Sequence, residues 1–475
     1  MLTKLEILEK LPTATKEERR ELLKLARELD SDPIVQFKNQ IIHGDCFEIL
    51  KSIPDNYFDS LITDPPAGIS FMSKNWDDHK GGMLNWINWF SEVMNECLRT
   101  MKPGACGLVW SIPRTSHWTG MALELAGFRL IDIIHHCQGS GFPKGQDIGK
   151  MLDKLAGEER EIVGRKQGER YKYSFSSDFN PDNPGLGSGD AGILTAPATP
   201  EAKQWDGWKT PALKPAVEGW WLVQKPITES SITRNILKHG VGGLNIEVCR
   251  IGYENESIDF DRVQDGNIYG SNSSYGKCEQ KEVTPLYKPN GRYPANLILS
   301  CGADCKGDNH SPDCPVSVIG EQSGISVSKA NFKGLQHSGF HGGLGGTEGK
   351  IKQGSNTLRG HDDEGTAARY FKQLPFDPET TNSVYYQAKA STKDRSCNGA
   401  VENVHPTVKS RYLMQYLIKL ITPPDCIVLD PFGGSGTTAV AAKESGFNYV
   451  LIEKEQEYVD IINKRIEATT KLDKP

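Results

Sequence analysis

Residues 429–453 decide the fold and read "LDPFGGSGTTAVAAKESGFNYVLIE". This stretch predicts a short buried strand ending at Asp430, a glycine-rich turn, a helix, and a second strand ending at Glu453. Glycines in such a turn let the backbone approach a ligand, because no Cβ stands in the way. An acidic residue about twenty positions later is placed to accept hydrogen bonds from ribose hydroxyls. The pattern therefore predicts a nucleoside-binding β–α–β unit.

The glycine turn also disfavours two common classes of ligand. It is not a G-x-G-x-x-G sequence, and no Walker lysine follows it. We therefore expect a nucleoside ligand other than a dinucleotide or a nucleoside triphosphate.

A second informative stretch is "TDPPAGIS" at residues 63–70, which follows the apolar run "YFDSLI". The run is typical of a buried strand, so Asp64 would stand at its carboxyl end. Pro65 and Pro66 fix φ and remove backbone donors, which keeps the neighbouring acceptor groups in one orientation. The segment thus predicts a rigid carboxylate at the end of a core strand.

The rest of the chain supports an α/β fold. From Ile41 to about Phe142, and again near the C-terminus, apolar strand patterns alternate with helical ones. This alternation predicts a parallel sheet with covering helices. The middle of the chain is polar and glycine-rich, apart from "EGWWLVQKP", which is typical of a further core strand.

Bulk composition narrows the class of protein. The length of 475 residues suggests two or three structural units, and a hydrophobic fraction of 37% is ample for a sizeable core. The net charge of −6 argues against coating nucleic acid by bulk charge, but it allows a local basic face. We find no long apolar run and no secretory signal, and eleven scattered cysteines fit a reduced protein. We therefore expect a cytoplasmic protein without a membrane span.

Several motifs together resemble one family. "DPFGGSGTT" with "YVLIE", and "TDPP" at a strand end, resemble the S-adenosylmethionine-dependent DNA amino-methyltransferases. The order, with the D-P-P motif first and the glycine turn near the C-terminus, is similar to their β group. Further segments resemble phage- and prophage-associated members of this family. They are "FMSKNWD", "GSGFPKG", "LKPAVEG", "KHGVGGLNIEVCRI", "RYPANLIL" and "YYQAKAS". The resemblance covers residues 40–145 and 382–467 well, and the middle in patches.

The resemblance implies a circularly permuted Rossmann-like methyltransferase sheet with a large irregular target-recognition insertion. It implies methyl transfer to N6 of an adenine flipped out of double-stranded DNA, with N4 of cytosine as the alternative. A degenerate relative that binds DNA or cofactor without turnover, and a methyltransferase acting on protein or RNA, also remain open. So do a homodimer and a restriction partner. The expected domains are a helical appendage at 1–37, a catalytic half at 38–227 with a polar insertion at about 145–212, a candidate target-recognition region at 228–380, and a cofactor-binding half at 381–475.

The resemblance also implies a catalytic arrangement. An exocyclic amino group is a poor nucleophile, so it needs acceptors that draw on its hydrogens. Asp64 and the carbonyl of Pro65 would take those roles, with Pro66 holding them stiff. In the family an aromatic residue follows D-P-P, whereas this chain has Ala67. Phe71 or Trp76 would then supply the stacking face for the base, unless both belong to the core.

The cofactor residues follow from the same resemblance. Glu453 would bind the ribose, and Gly434 and Gly436 would form the turn at the methionine portion. Asp45 would meet the adenine amino group, although it could also be a turn former. The remaining predicted cofactor-binding residues are Cys46, Phe47, His405, Lys409, Asp430, Phe432 and Thr437; His405 and Lys409 would close the methionine end, although Lys409 could equally be an exposed lysine at a helix start.

A metal site is predicted separately from spacing. "SCGADCKGDNHSPDC" places Cys301, Cys305, His310 and Cys314 as C-x3-C-x4-H-x3-C. Four ligands of suitable softness within fourteen residues predict a closed tetrahedral zinc site with a structural role. The alternative is a set of unrelated reduced cysteines beside a surface histidine.

The region expected to recognise DNA offers several basic residues among glycines and asparagines. Such side chains can clamp phosphates or reach base edges, although a solvated polar loop is an equal reading of each of them. The candidates are Lys333, Lys350, Lys352, Arg359 and Arg369.

Overall fold

A computed structural model provides the three-dimensional structure. Parts of the chain are described in it, and the structural statements below concern those parts. The described residues are Glu18 together with 37–70, 75–138, 145–165, 193–252, 291–301, 305, 309–312, 314–328, 363–374, 395–396, 401–403, 405 and 407–469. The expected helical appendage at 1–37 therefore lies almost wholly outside the described residues.

Thirteen strands are present in the described part of the chain. They are β1 (Gln40–His43), β2 (Phe58–Thr63), β3 (Met101–Ser111), β4 (Arg129–Gln138), β5 (Ile162–Arg165), β6 (Ile193–Thr195), β7 (Val217–Gln224), β8 (Leu297–Ser300), β9 (Ser326–Ser328), β10 (Asp363–Gly365), β11 (Lys372–Leu374), β12 (Ile427–Asp430) and β13 (Asn448–Glu453).

Eleven α-helices accompany these strands over the same described ranges. They are α1 (Cys46–Ser52), α2 (Met83–Thr100), α3 (Ser116–Leu125), α4 (Ile148–Ala156), α5 (Pro200–Gln204), α6 (Ile232–His239), α7 (Ile246–Cys249), α8 (Pro315–Ser323), α9 (Arg411–Ile421), α10 (Thr437–Glu444) and α11 (Gln456–Thr469). None of the helices within the described ranges is long and apolar enough to cross a membrane.

Nine strands form one sheet in the order β1-β13-β12-β2-β3-β7-β4-β8-β11. All neighbouring pairs in it are parallel except the two that β7 makes with β3 and β4. The predicted α/β fold is thus confirmed, with "EGWWLVQ" as an inserted antiparallel strand. The last strands of the chain sit between the first ones, because β12 pairs with β2 through Leu429 and Leu61.

Helices cover both faces of this sheet. One core packs the apolar faces of α1, α2 and α3 against alternate strand residues, including Phe58, Leu61 and Leu429. The other packs α9 and α10 against the opposite residues, including Ile62 and Val428. Strands buried on both faces read as continuous apolar runs, and all six residues of β2 are buried.

The middle of the chain is less irregular than its composition predicts. Strands β8 and β11, within 228–380, extend the main sheet at the edge formed by β4. They are only four and three residues long, and glycine-rich or polar sequence flanks them. A short apolar run such as "LILS" carries too little periodicity to be distinguished from loop.

Residues 145–165 and 193–215 belong to a separate compact unit. Its centre is the buried carboxylate of Asp153, which accepts hydrogen bonds from the backbone N–H groups of Ala198 and Thr199 at 3.1 and 2.9 Å. The Thr199 hydroxyl and the Arg160 guanidinium complete the shell around this carboxylate. These partners lower the pKa of Asp153 although desolvation opposes them.

Candidate active site

The two stretches singled out in the sequence meet at the carboxyl ends of adjacent parallel strands. Thr63 is the last residue of β2 and Asp430 the last of β12. The Thr63 hydroxyl donates to Asp430 Oδ1 at 2.8 Å across 367 positions of sequence. From β12 the chain winds through α10 to β13 on one side, and from β2 through α2 to β3 on the other. This is the topological switch point at which open α/β sheets bind ligands.

Asp430 is fully buried beneath the crevice. Besides Thr63, the Thr438 hydroxyl donates to Oδ2 at 2.5 Å and the Phe432 N–H to Oδ1 at 3.1 Å. Burial raises the pKa of this carboxyl to about 7, the hydrogen bonds lower it in part, and the nearby charge of Asp64 raises it further. Asp430 therefore gains a proton near neutral pH while it anchors the start of the glycine turn.

The raised pKa predicts a pH-dependent stability. Because the folded-state pKa lies above the ordinary value of 3.8, Asp430 contributes stability that is complete below pH 4 and is lost as pH rises through about 7. At about 1.4 kcal/mol per pKa unit, the loss is on the order of 4 kcal/mol. The Asp430→Asn variant mimics the neutral carboxyl. We expect its free energy of unfolding in urea to rise relative to that of the wild type by on the order of 4 kcal/mol between pH 4 and 7.5. The exposed Asp425→Asn serves as the control, and parallel pH curves for wild type and Asp430→Asn would contradict the assignment.

The glycine turn is held in a left-handed conformation. Gly434 and Gly436 have φ of +53° and +80°, which favours glycine. A Cβ at Gly436 would stand 2.6 Å from Cγ2 of Ile462, and one at Gly434 would stand 3.4 Å from the ring of His405. Beneath the turn, the fully buried Arg465 donates to the Ser435 carbonyl at 2.6 Å and to the Thr437 hydroxyl at 3.2 Å. The turn is therefore preformed.

Glu453 ends β13 beside this turn and is 8% exposed. Its Oε2 accepts from the Gly434 N–H at 2.7 Å, and its Oε1 accepts from the Glu455 N–H at 2.8 Å. Burial raises the pKa of this carboxyl, and the backbone hydrogen bonds oppose the rise. The predicted ribose acid thus also orders the glycine turn, a second role that the sequence does not indicate.

Asp45, Cys46 and Phe47 lie at the end of the next strand. β1 pairs with β13, and the Gly44 N–H donates to the Glu453 carbonyl at 2.9 Å. Asp45 caps α1 by accepting from the Phe47 N–H at 3.1 Å. Cys46 is buried, and burial raises the pKa of its thiol to about 12, so it packs as a neutral group. The capping role of Asp45 agrees with the alternative that this residue is a turn former. Contact between Asp45 and the adenine amino group stays a prediction.

Lys409 lies on the predicted catalytic carboxylate. Its ammonium donates to Asp64 Oδ2 and stands 3.8 Å from the ring centroid of Trp110. The Lys409 side chain is only 5% exposed. Trp110 is held in turn by its Nε1, which donates to the buried Glu218 at 2.9 Å. Lys409 therefore contacts Asp64, whereas the resemblance implied a role at the methionine end of the cofactor.

The loop that follows the two prolines is fixed by Asp77. Its buried carboxylate accepts from the Gly68 N–H at 2.8 Å and from the Ile69 N–H at 3.3 Å. Gly68 has φ of +68°, and a Cβ there would stand 2.7 Å from the ring of Trp86. The rigidity predicted for Asp64 thus has a tertiary support in addition to Pro65 and Pro66.

His405 lies beside Gly434 of the glycine turn, and Trp76 stacks on His405. Their rings are 6.0 Å apart and nearly parallel, and the ring of Tyr458 meets His405 edge-on at 4.5 Å. One face of Trp76 therefore lies against His405. Phe71, the other candidate for stacking a base, lies outside the described residues.

Phe432 packs on α2 rather than on the rings of His405 and Trp76. It packs against Trp89 and Phe90 on α2, with ring centroids 6.0 and 6.2 Å away. This contact joins the glycine-turn half of the site to the helix that follows the D-P-P loop.

Sequence reasoning missed Trp110, Asp77 and Arg465, which act through contacts with distant segments. It was wrong for Arg369, which is buried and whose guanidinium donates to Ser326 and the Thr366 carbonyl. An arginine in a polar region carries no local signal that separates a phosphate contact from an internal one. The other predicted DNA contacts, Lys333, Lys350, Lys352 and Arg359, lie outside the described residues.

Fold and site together define an α/β protein with a mostly parallel sheet, whose candidate ligand site lies at the carboxyl ends of β12 and β2. The sequence profile of the N6/N4 methyltransferase family, described as DNA methylase, matches residues 264–464, fewer than half of the chain. The chain is 38% identical over 84 residues to the type II methyltransferase M.HinfI of Haemophilus influenzae. The aligned segment covers 18% of this chain and 23% of that protein. The chain is 47% identical over 64 residues to M2.DpnII of Streptococcus pneumoniae, which covers 14% and 24%. The two matches span less than a quarter of either relative.

Solved structures with a similar arrangement include PvuII DNA methyltransferase, described as cytosine-N4-specific. It covers 92% of this chain and 91% of its own, at 12% identity and a TM-score of 0.39. The complex of M1.HpyAVI with SAM covers 90% and 98%, at 16% identity and a TM-score of 0.33.

Proposed function

We propose that this protein transfers a methyl group from S-adenosylmethionine to the exocyclic N6 of an adenine flipped out of double-stranded DNA. The observation that carries the proposal is the position of Asp64, one residue beyond the Thr63–Asp430 hydrogen bond and beside the glycine turn. A rigid acceptor and the proposed nucleoside site would thus lie at the ends of adjacent strands. The match of residues 264–464 to the DNA methylase family supports the same reaction class.

The residues of the crevice fit S-adenosylmethionine. Gly434 lacks a Cβ that would contact the His405 ring, and the Glu453 carboxylate, bonded to the Gly434 N–H, would accept from ribose hydroxyls. When bound, S-adenosylmethionine supplies an electrophilic methyl group on a sulfonium centre. The chain supplies position and electrostatics around that methyl group.

Asp64 is proposed to prepare the amino group of the base. Lys409 holds Oδ2, so Oδ1 and the carbonyl of Pro65 would accept the two amino hydrogens. Both contacts draw electron density toward nitrogen, whose lone pair then becomes available for the methyl group. The nitrogen would gain positive charge as the N–C bond forms and the bond between the methyl group and the sulfonium sulfur breaks, which releases a neutral thioether. Asp64 would stabilise the charge on nitrogen until a proton leaves to water.

Lys409 has a matching positioning role. An unpaired carboxylate at a half-buried site would rotate or bind water, whereas a buried ammonium fixes one oxygen. The ring of Trp110 stabilises the ammonium by a cation–π contact. We therefore regard Lys409, Asp64 and Trp110 as one unit that sets the direction of the acceptor oxygen.

Cytosine N4 is the second candidate acceptor. The same pair of acceptors suits either exocyclic amine, and adenine is favoured because the D-P-P form resembles adenine-specific members. A degenerate binding protein is disfavoured, because Asp64, Glu453 and the preformed glycine turn are all intact.

The test is incubation with labelled S-adenosylmethionine and unmethylated plasmid DNA, followed by nucleoside analysis of the digest. We expect label in N6-methyladenine. Label in N4-methylcytosine would replace the adenine assignment. Absence of label from DNA, despite cofactor binding measured by calorimetry, would overturn DNA methylation as the function.

A further inference from the structure

We propose that Cys301, Cys305, His310 and Cys314 bind one zinc ion that stabilises the outer edge of the main sheet. The inference concerns a site outside the crevice and is independent of methyl transfer. It starts from the side-chain atoms: one ligand atom from each residue lies within 4.8 Å of every other.

The distances fit a tetrahedral ion. His310 Nδ1 lies 3.4 Å from Cys301 Sγ and 3.7 Å from Cys314 Sγ. Zinc bonds of about 2.3 Å to sulfur and 2.0–2.1 Å to nitrogen, at tetrahedral angles, place these atoms about 3.6 Å apart. The three thiols are free rather than joined as disulfides. Three sulfurs and one imidazole are a ligand set typical of structural zinc.

The backbone holds the four residues in place from two sides. Cys301 follows β8 directly, and its N–H donates to the Leu374 carbonyl of β11 at 3.1 Å. Cys314 is the N-cap residue of α8, with Pro315 in the first turn. The Ser311 N–H donates to Cys305 Sγ at 3.4 Å, a contact that stabilises a metal-bound thiolate. The chain therefore presents a formed site rather than four scattered side chains.

Burial indicates a closed, structural site. Cys305 and Cys314 are buried, and Cys301 and His310 are partly buried. The site follows β8, which is four strands away from β2 in the sheet, or about 19 Å at the usual strand spacing. Such a distance from Asp64 separates the metal from the proposed chemistry.

The local core explains why a metal would be needed. Two of the five buried apolar residues of this cluster are the ligands Cys305 and Cys314 themselves; the others are Leu299, Val316 and Ala368. So small a core provides little hydrophobic stabilisation, and metal binding supplies folding free energy to such segments. The zinc would join the end of β8 to the start of α8 through Cys301 and Cys314.

The experiment measures metal directly in the full-length protein purified under reducing conditions without added metal. We expect about one zinc per chain by elemental analysis. Replacement by cobalt should give the thiolate charge-transfer and visible bands of a tetrahedral site. Cys314→Ser and His310→Ala should each bind zinc at least tenfold more weakly in competition with a chromogenic chelator.

Cys137→Ser is the matched control, because Cys137 packs against the same cluster and is not among the four grouped ligands. It should retain the full zinc content. Because a ligand variant could fail to fold, zinc is also removed from the wild type with a chelator. Faster proteolysis within 301–323 that is reversed by zinc supports the proposal. A reduced wild type without zinc or tetrahedral cobalt bands, or a Cys301–Cys314 disulfide found by mass spectrometry, would overturn it.

Discussion

Asp64→Asn is expected to lower the rate of methyl transfer to DNA by about 10²–10⁴-fold, the usual contribution of a positioned acid–base group. The amide keeps the shape of the carboxylate but loses the charge that stabilises the developing cation on nitrogen. It also loses the ion pair with Lys409, so the remaining acceptor is less well oriented. The measurement is single-turnover transfer of label from S-adenosylmethionine to DNA.

The affinity for S-adenosylmethionine should stay within a few fold in this variant, because Asp64 is assigned to the base and not to the cofactor. Asp78→Asn, a change at an exposed aspartate in the same half of the protein, is the control and should transfer at the wild-type rate. A fully active Asp64→Asn protein would refute the assigned role. Loss of cofactor binding together with activity would instead indicate that the crevice had been deformed.

Glu453→Ala is expected to weaken binding of S-adenosylmethionine by about 10- to 100-fold, the loss of one charge-assisted hydrogen bond at 1.5–3 kcal/mol. The physical reason is twofold. The ribose would lose its acceptor, and the Gly434 N–H would lose the partner that orders the turn. Isothermal titration calorimetry with the cofactor alone measures the effect without any need for DNA.

Glu453→Gln separates these two roles. A glutamine can accept from only one of the two N–H groups that now bind Oε1 and Oε2, so it keeps part of the order of the turn. We expect its affinity to lie between wild type and Glu453→Ala. Glu457→Ala, in the exposed first turn of α11, is the control. Wild-type affinity in Glu453→Ala would show that the pocket takes a different ligand or binds it elsewhere.

Much of the fold was predictable because its central elements carry strong local signals. Strand β2 is buried on both faces and therefore appears as an apolar run, and β12, α10 and β13 follow the strand–turn–helix–strand pattern. The short strands β8 and β11 were missed because three or four residues carry little periodicity.

A role in the candidate site could be predicted only for residues whose neighbours in sequence indicate that role. Glu453 and the glycine turn have such neighbours, and so does Asp64 between a core strand and two prolines. The contact between the Lys409 ammonium and Asp64, 345 positions away, had no local signal, and the role of Lys409 at the methionine end of the cofactor stays a prediction. Asp77 and Arg465 gave no signal, because a buried carboxylate or guanidinium looks like a surface charge in sequence.

The sequence by itself determined the elements, the stiff carboxylate at the end of β2 and the glycine turn at the end of β12. Only the tertiary structure decided that these two ends adjoin, since hydrophobic periodicity states that a strand is buried but not which strand it pairs with. The pairing of β2 with β12 brings Asp64, Lys409 and Glu453 to one edge of the sheet. Their joint chemistry is thus a property of strand order, which arises from packing across the whole chain.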